Sequence, residues 1–143
     1  MNVFLDTSSL FKLYHQEDGT DELLQLLSDK SIKTIYLSEL AKVEFTSSIW
    51  KKVRTKEIEQ ERARVTLSLF QNDLYKYKFV TTDSLLLEIS ESLVTKYNFE
   101  GLRTLDSIQL ASCLFLKITV SIFITSDKLL KKLMEKEGLK TSL

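Results

Sequence analysis

Short apolar runs rich in β-branched and aromatic residues alternate with helical patterns along this chain, and that alternation restricts the fold more than any other feature. Four runs read as strands, around Val3–Leu5, Thr34–Leu37, Phe79–Thr82 and Ser121–Thr125. Between them, Ala63, Leu67, Phe70 and Leu74 form one apolar stripe at helical spacing, and Leu86, Ile89 and Leu93 form another. The segment from Leu105 to Leu116 is apolar on nearly every side (Ile108, Leu110, Ala111, Cys113, Leu114, Phe115), which predicts a buried helix. Strands separated by helices need crossover connections, and these imply a mainly parallel sheet covered on both faces. The fold class is therefore α/β. From about Ser38 to Tyr75 two helical patterns follow one another without a strand, predicting a helical arm or hairpin beside the sheet. Gly19 is expected to close a first short helix, and Gly138 to stand just past the last one.

At 143 residues, with no linker, repeat or low-complexity tract, the chain reads as a single domain over 1–143. No apolar run approaches the roughly 18 residues of a membrane span, and no export segment opens the sequence. One cysteine cannot form an internal disulfide, so a cytoplasmic protein is expected. The balance of 20 basic and 20 acidic residues argues against gripping nucleic acid by bulk charge. It leaves a nuclease open, because bound cations offset an acidic site locally.

Four acids carry the chemistry. Asp6 follows the first strand and opens the polar turn Thr7-Ser8-Ser9; Asp127 follows the last strand; Asp106 opens the apolar helix. A carboxylate at the carboxyl end of a strand lies where open α/β sheets place their ligands. Each aspartate also has a plain structural explanation, since Asp6 and Asp127 sit where an N-cap is wanted and Asp106 suits a first helical turn. Glu44 has none. It falls inside a helix, with Leu40, Ala41, Ser47 and Ser48 as its neighbours three and four residues away. A carboxylate on such a face needs a cation, a network of donors or water. Four acids together suit Mg²⁺ or Mn²⁺, hard ions that prefer oxygen and relieve carboxylate repulsion.

The motifs Phe4-Leu5-Asp6-Thr7-Ser8-Ser9-Leu10, Ser38-Glu39-Leu40 through Glu44, Leu102-Arg103-Thr104-Leu105-Asp106-Ser107-Ile108-Gln109-Leu110-Ala111 and Phe123-Ile124-Thr125-Ser126-Asp127-Lys128-Leu129 together resemble a PIN domain. Within that group they resemble the VapC-type toxin ribonucleases of type II toxin–antitoxin pairs. The resemblance implies an α/β/α sandwich with a mainly parallel sheet of four to five strands and a helical arm. It implies Mg²⁺- or Mn²⁺-dependent endonucleolytic hydrolysis of RNA, with Asp6 and Asp106 as principal metal ligands. Glu44 would complete the site or orient water, and Asp127 would bind a second metal or brace the first. A hydroxyl of Thr7, Ser9 or Ser126 would support these carboxylates. A homodimer and a small antitoxin partner are implied as well. The fifth strand is barely present, as Leu139-Lys140-Thr141.

Other residues read as structural. His15 is expected to be exposed or at a helix end, and Cys113 to be a small core hydrophobe. The basic run Lys51–Lys56 is explained by a solvated helix terminus, although it could track an RNA backbone. Arg103 is the better candidate to touch phosphate or a neighbouring acid. Two alternatives stand beside the nuclease: a fold of this type that only binds RNA or protein, and an aspartate-based phosphotransfer or phosphatase domain. The latter would favour a second aspartate two residues after Asp6, where Ser8 stands.

Overall fold

The computed structural model describes residues 1–142. Four strands, β1 (Asn2–Leu5), β2 (Thr34–Ser38), β3 (Tyr77–Val80) and β4 (Ile122–Ile124), form one parallel sheet in the order β3-β2-β1-β4. The chain steps outward from β1 to β2 to β3, then crosses back to lay β4 on the other side of β1. The strand order thus reverses between β1 and β4, and a crevice opens at their carboxyl ends.

Helices cover both faces. On one lie α1 (Thr7–Lys12), α2 (Thr20–Leu27), α3 (Leu40–Arg54) and α4 (Gln60–Asp73); on the other lie α5 (Ser84–Lys96), α6 (Thr104–Phe115) and α7 (Lys128–Lys136). The strands distribute their side chains by alternation. Phe4, Tyr36, Val80 and Phe123 face the core under α5–α7, while Leu5, Leu37, Phe79 and Ile124 face the core under α1–α4. In the second core Phe45 and Phe70 pack with ring centroids 4.3 Å apart, flanked by Phe11 and Tyr14. The expected hairpin of α3 and α4 is therefore a layer of the sandwich, with Ala41, Phe45, Ile49, Ala63 and Phe70 buried.

Two expectations need correction. Helix α1 ends at Lys12, and Gly19 precedes α2 as its N-cap instead of closing α1. Phe115, counted with the buried face of α6, is 61% exposed because it lies at the carboxyl end, past the sheet-facing turns. Among the described residues there is no fifth strand: a single bond from the Phe123 amide to the Lys140 carbonyl, 2.9 Å long, is all that pairs with β4's outer edge. Cys113 is buried in the core, as expected for a small hydrophobe. No helix among the described residues is long and apolar enough to cross a membrane.

Two helices finish with the same backbone motif built on different residues. After α7, Gly138 adopts φ +80°, its amide bonding the Glu135 carbonyl while the Leu139 amide bonds that of Met134. After α3, Lys56 takes the equivalent place at φ +63°, with Lys56 to Val53 and Glu57 to Lys52 bonds. A left-handed lysine costs about 1–2 kcal/mol. Glycine removes that cost but adds about 0.5–1 kcal/mol of unfolded-state freedom. Lys56→Gly should therefore raise the melting temperature by roughly 1–4 °C in a calorimetric scan; a lower value would show that the lysine is unstrained.

Candidate functional site

The crevice at the carboxyl ends of β1 and β4 widens into a cleft of about 450 Å³. Asp6, Glu44, Asp106 and Asp127 all line it, although they come from four separate segments. Each is delivered by an element boundary or a helix face. Asp6 follows β1 and caps α1, its Oδ1 accepting the Ser9 amide at 2.9 Å. Asp127 follows β4 and caps α7, its Oδ1 accepting the Leu130 amide at 2.7 Å. Asp106 stands in the first turn of α6, and Glu44 projects from α3 in the opposite layer. Capping and cleft lining are therefore both true of Asp6 and Asp127, because a helix that starts at the crevice points its cap into it.

Uncharged donors hold these acids. The Ser8 hydroxyl lies 2.8 and 2.9 Å from the two oxygens of Asp6, and the Thr125 hydroxyl donates to Oδ2. Ser8 and Thr125 also accept the Ser126 and Asp127 amides at 3.1 and 3.0 Å; the first bond ties the start of α1 to the loop after β4, and the second shapes that loop. Glu44 is gripped at Oε1 alone. It accepts from the Thr7 hydroxyl at 2.8 Å and from the Gln109 side-chain amide at 2.7 Å. Gln109 also donates to Thr7 at 3.0 Å, so the three close a triangle between α1, α3 and α6. The donor network that Glu44 requires is present.

Of the three hydroxyls expected to support the acids, only Thr7 does so, and it serves Glu44. Ser9 contributes its backbone amide to Asp6, whereas its hydroxyl is buried without a partner. Ser126 acts through its amide, on Ser8. Sequence reasoning missed Ser8, Thr125 and Gln109. Gln109 carried a usable signal: it stands three residues after Asp106, on the same face of α6. The basic run does end α3 with Lys51, Arg54, Thr55 and Lys56 exposed, and its first two lysines, Lys51 and Lys52, also line the cleft. Arg103 does not line it; it is exposed at the N-cap of α6, and its charge only partly offsets the upward push on Asp106. His15 lies past the end of α1, half-buried against the Phe11 ring.

Burial dominates the electrostatics. Asp6 is 3% exposed, and desolvation lifts its pKa to about 6 against the opposing hydrogen bonds from Thr125, Ser9 and Ser8. Asp106 is also raised, by burial first and then by the charges of Asp127 and Glu44. Among the described residues no lysine, arginine or histidine lies within ion-pair distance of any of the four. Nor do any three acidic, histidine or cysteine side chains there form a ready-made metal cage. The donors nevertheless fit a hard divalent cation. Mg²⁺ keeps several waters, uses one or two carboxylates and completes its shell with substrate phosphate.

A carboxyl group whose folded pKa is raised binds its proton more tightly in the native state. Its stabilisation is complete below about pH 4 and is lost as pH rises through 6. The gap between 3.8 and about 6 amounts to about 3 kcal/mol. Asparagine keeps the cap without the charge. In EDTA, Asp6→Asn should melt close to wild type at pH 4 and several degrees above it at pH 7.5. Melting curves followed by circular dichroism would reveal this, and a difference independent of pH would show that burial does not burden the carboxylate.

Comparison with known proteins accords with this architecture. The PIN domain family model matches residues 3–136. FitAcB from Neisseria gonorrhoeae superposes with a TM-score of 0.72 at 14% identity, covering 99% of this chain and 96% of that one. VapC20 from Mycobacterium tuberculosis, a Sarcin-Ricin loop cleaving toxin, superposes with a TM-score of 0.70 at 13% identity, covering 92% and 94%. A toxin–antitoxin complex from Klebsiella pneumoniae gives 0.55 at 19% identity, covering 87% and 86%. At such identities the likeness is one of fold. No curated protein matches this sequence. With the family model spanning nearly the whole chain, and the sheet order, layers and crevice as described, the protein belongs to the PIN domain family.

Proposed function

We propose that this PIN domain is a Mg²⁺- or Mn²⁺-dependent endoribonuclease, the toxin of a toxin–antitoxin pair, which hydrolyses RNA phosphodiester bonds. One observation carries the reading: four carboxylates from four segments face one cleft at the strand-order reversal, and among the described residues no side-chain cation forms an ion pair with any of them. Burying Asp6 at a cost of about 3 kcal/mol is hard to account for by capping, which asparagine would do as well.

In this reading Asp6 and Asp106 are the principal ligands. A divalent cation bound there would polarise a phosphoryl oxygen and an attacking water. The Ser8 and Thr125 hydroxyls fix the orientation of Asp6. Thr7 and Gln109 hold Oε1 of Glu44, leaving Oε2 to orient water or complete the metal shell. Asp127 caps α7 with Oδ1 and keeps its other oxygen for a second cation or for bracing the first. The likeness in fold to the Sarcin-Ricin loop cleaving toxin of M. tuberculosis and to the toxin–antitoxin complex of K. pneumoniae supports a cleaving toxin and an antitoxin partner. A cytoplasmic homodimer completes the proposal. The rival is a PIN fold that binds RNA or protein without cleaving, favoured by the absence of a ready-made metal cage among the described residues.

Purified protein should cleave RNA with Mg²⁺ or Mn²⁺ and stop in EDTA. Asp106→Asn should keep its circular dichroism spectrum and lose at least about a hundredfold in cleavage rate. Mg²⁺ at pH 7.5 should also raise the melting temperature of wild type and leave that of Asp6→Asn unchanged. Cleavage that persists in EDTA or in the Asp106 variant would remove the metal-site assignment; RNA binding without cleavage would favour the rival.

A further inference from the structure

Helix α3 turns a continuous stripe toward the cleft. Glu44, Ser48, Lys51, Lys52 and Thr55 all line it, at successive offsets of four, three, one and three residues. The stripe changes character along its length. At the amino-terminal end stands Glu44, held by Thr7 and Gln109; about two turns further, roughly 10 Å along the axis, the side chains become cationic.

The two lysines differ in how far they are already committed. Lys52 is half-buried, pairs with Glu57 at 2.6 Å and lies over the Phe11 ring at 5.6 Å, so its charge is spent on closing the α3–α4 turn. Lys51 is exposed, and among the described residues its side chain has no ion pair and no hydrogen bond. The Ser48 hydroxyl, one turn nearer Glu44, has no hydrogen-bond partner among the described residues either. An ammonium group and a hydroxyl without partners, facing an otherwise acidic cleft, form an anion subsite displaced from the carboxylates.

We infer that Ser48 and Lys51 bind a backbone phosphate next to the one that is cut, and so draw single-stranded RNA along α3 toward Glu44. The inference rests on the ribonuclease proposal and extends it to how the strand lies. Bulk charge cannot do this in a chain of zero formal net charge, so attraction must be local. Arg54, from the same basic run, is exposed and does not line the cleft, and it serves as a matched control for net charge.

The test uses the full chain in EDTA and a fluorescently labelled single-stranded RNA oligonucleotide of mixed sequence, with binding followed by anisotropy from 50 to 200 mM salt. Lys51→Ala should weaken binding about fivefold or more at the lowest salt and lower the salt slope by about 0.7, the value for one phosphate contact on a single strand. Arg54→Ala should change binding less than twofold. Ser48→Ala should weaken it with the slope unchanged, because no charge is lost. Equal losses for Lys51→Ala and Arg54→Ala would overturn the subsite while leaving the ribonuclease proposal intact. Wild-type protein that neither binds RNA in EDTA nor cleaves it with Mg²⁺ or Mn²⁺ would overturn both.

Discussion

A carboxylate buried at the end of the first strand organises this molecule. Asp6 is almost wholly removed from solvent and surrounded by hydroxyl and amide donors, yet none of these brings a positive charge. Neutral donors moderate the cost of the charge without cancelling it, which is why burial still lifts the pKa to about 6. The loops answer to that charge. Ser8 reaches across to Ser126, Thr125 reaches back to both Asp6 and the Asp127 amide, and the ends of β1 and β4 become one unit. Without an acid at this position, neither loop would need such a density of hydroxyl groups.

The sandwich makes this possible. Because β1 is an inner strand with neighbours on both sides, its carboxyl end can be buried while the strand-order reversal beside it leaves a crevice. The two layers then contribute acids from opposite directions, Glu44 from α3 and Asp106 from α6. Their proximity registers in the raised pKa of Asp106, which is pushed upward in part by Glu44 and Asp127. Such mutual repulsion opposes close approach and accords with a cleft whose acids line the walls without meeting in a tight cage.

Much of the architecture was legible because strand and helix periods are strong signals in short, well-punctuated segments. The α/β class, the four strands and the covering helices follow from runs such as Val3–Leu5 and stripes such as Leu86, Ile89 and Leu93. The placement of Asp6 and Asp127 at strand ends was legible for the same reason. Partners chosen by tertiary structure were not. Whether Ser8, Ser9 or Thr7 turns toward Asp6 depends on rotations within one helical turn, and Thr125 reaches Asp6 only because β4 returns to lie beside β1. Lys51 and Lys52 looked like an ordinary solvated helix end, since the basic run says nothing of which way α3 faces. Gly19 misled because a glycine can precede a helix as readily as it closes one.

The triangle of Thr7, Gln109 and Glu44 stitches the helical layers together across the open end of the sheet. Prying the layers apart would strand a half-buried carboxylate and a buried amide at once, so the jaws are braced in a fixed gape. A cleft built this way does not mould itself around a guest. The guest must do the bending, and molecules already loose enough to splay open hold the advantage over stiff ones.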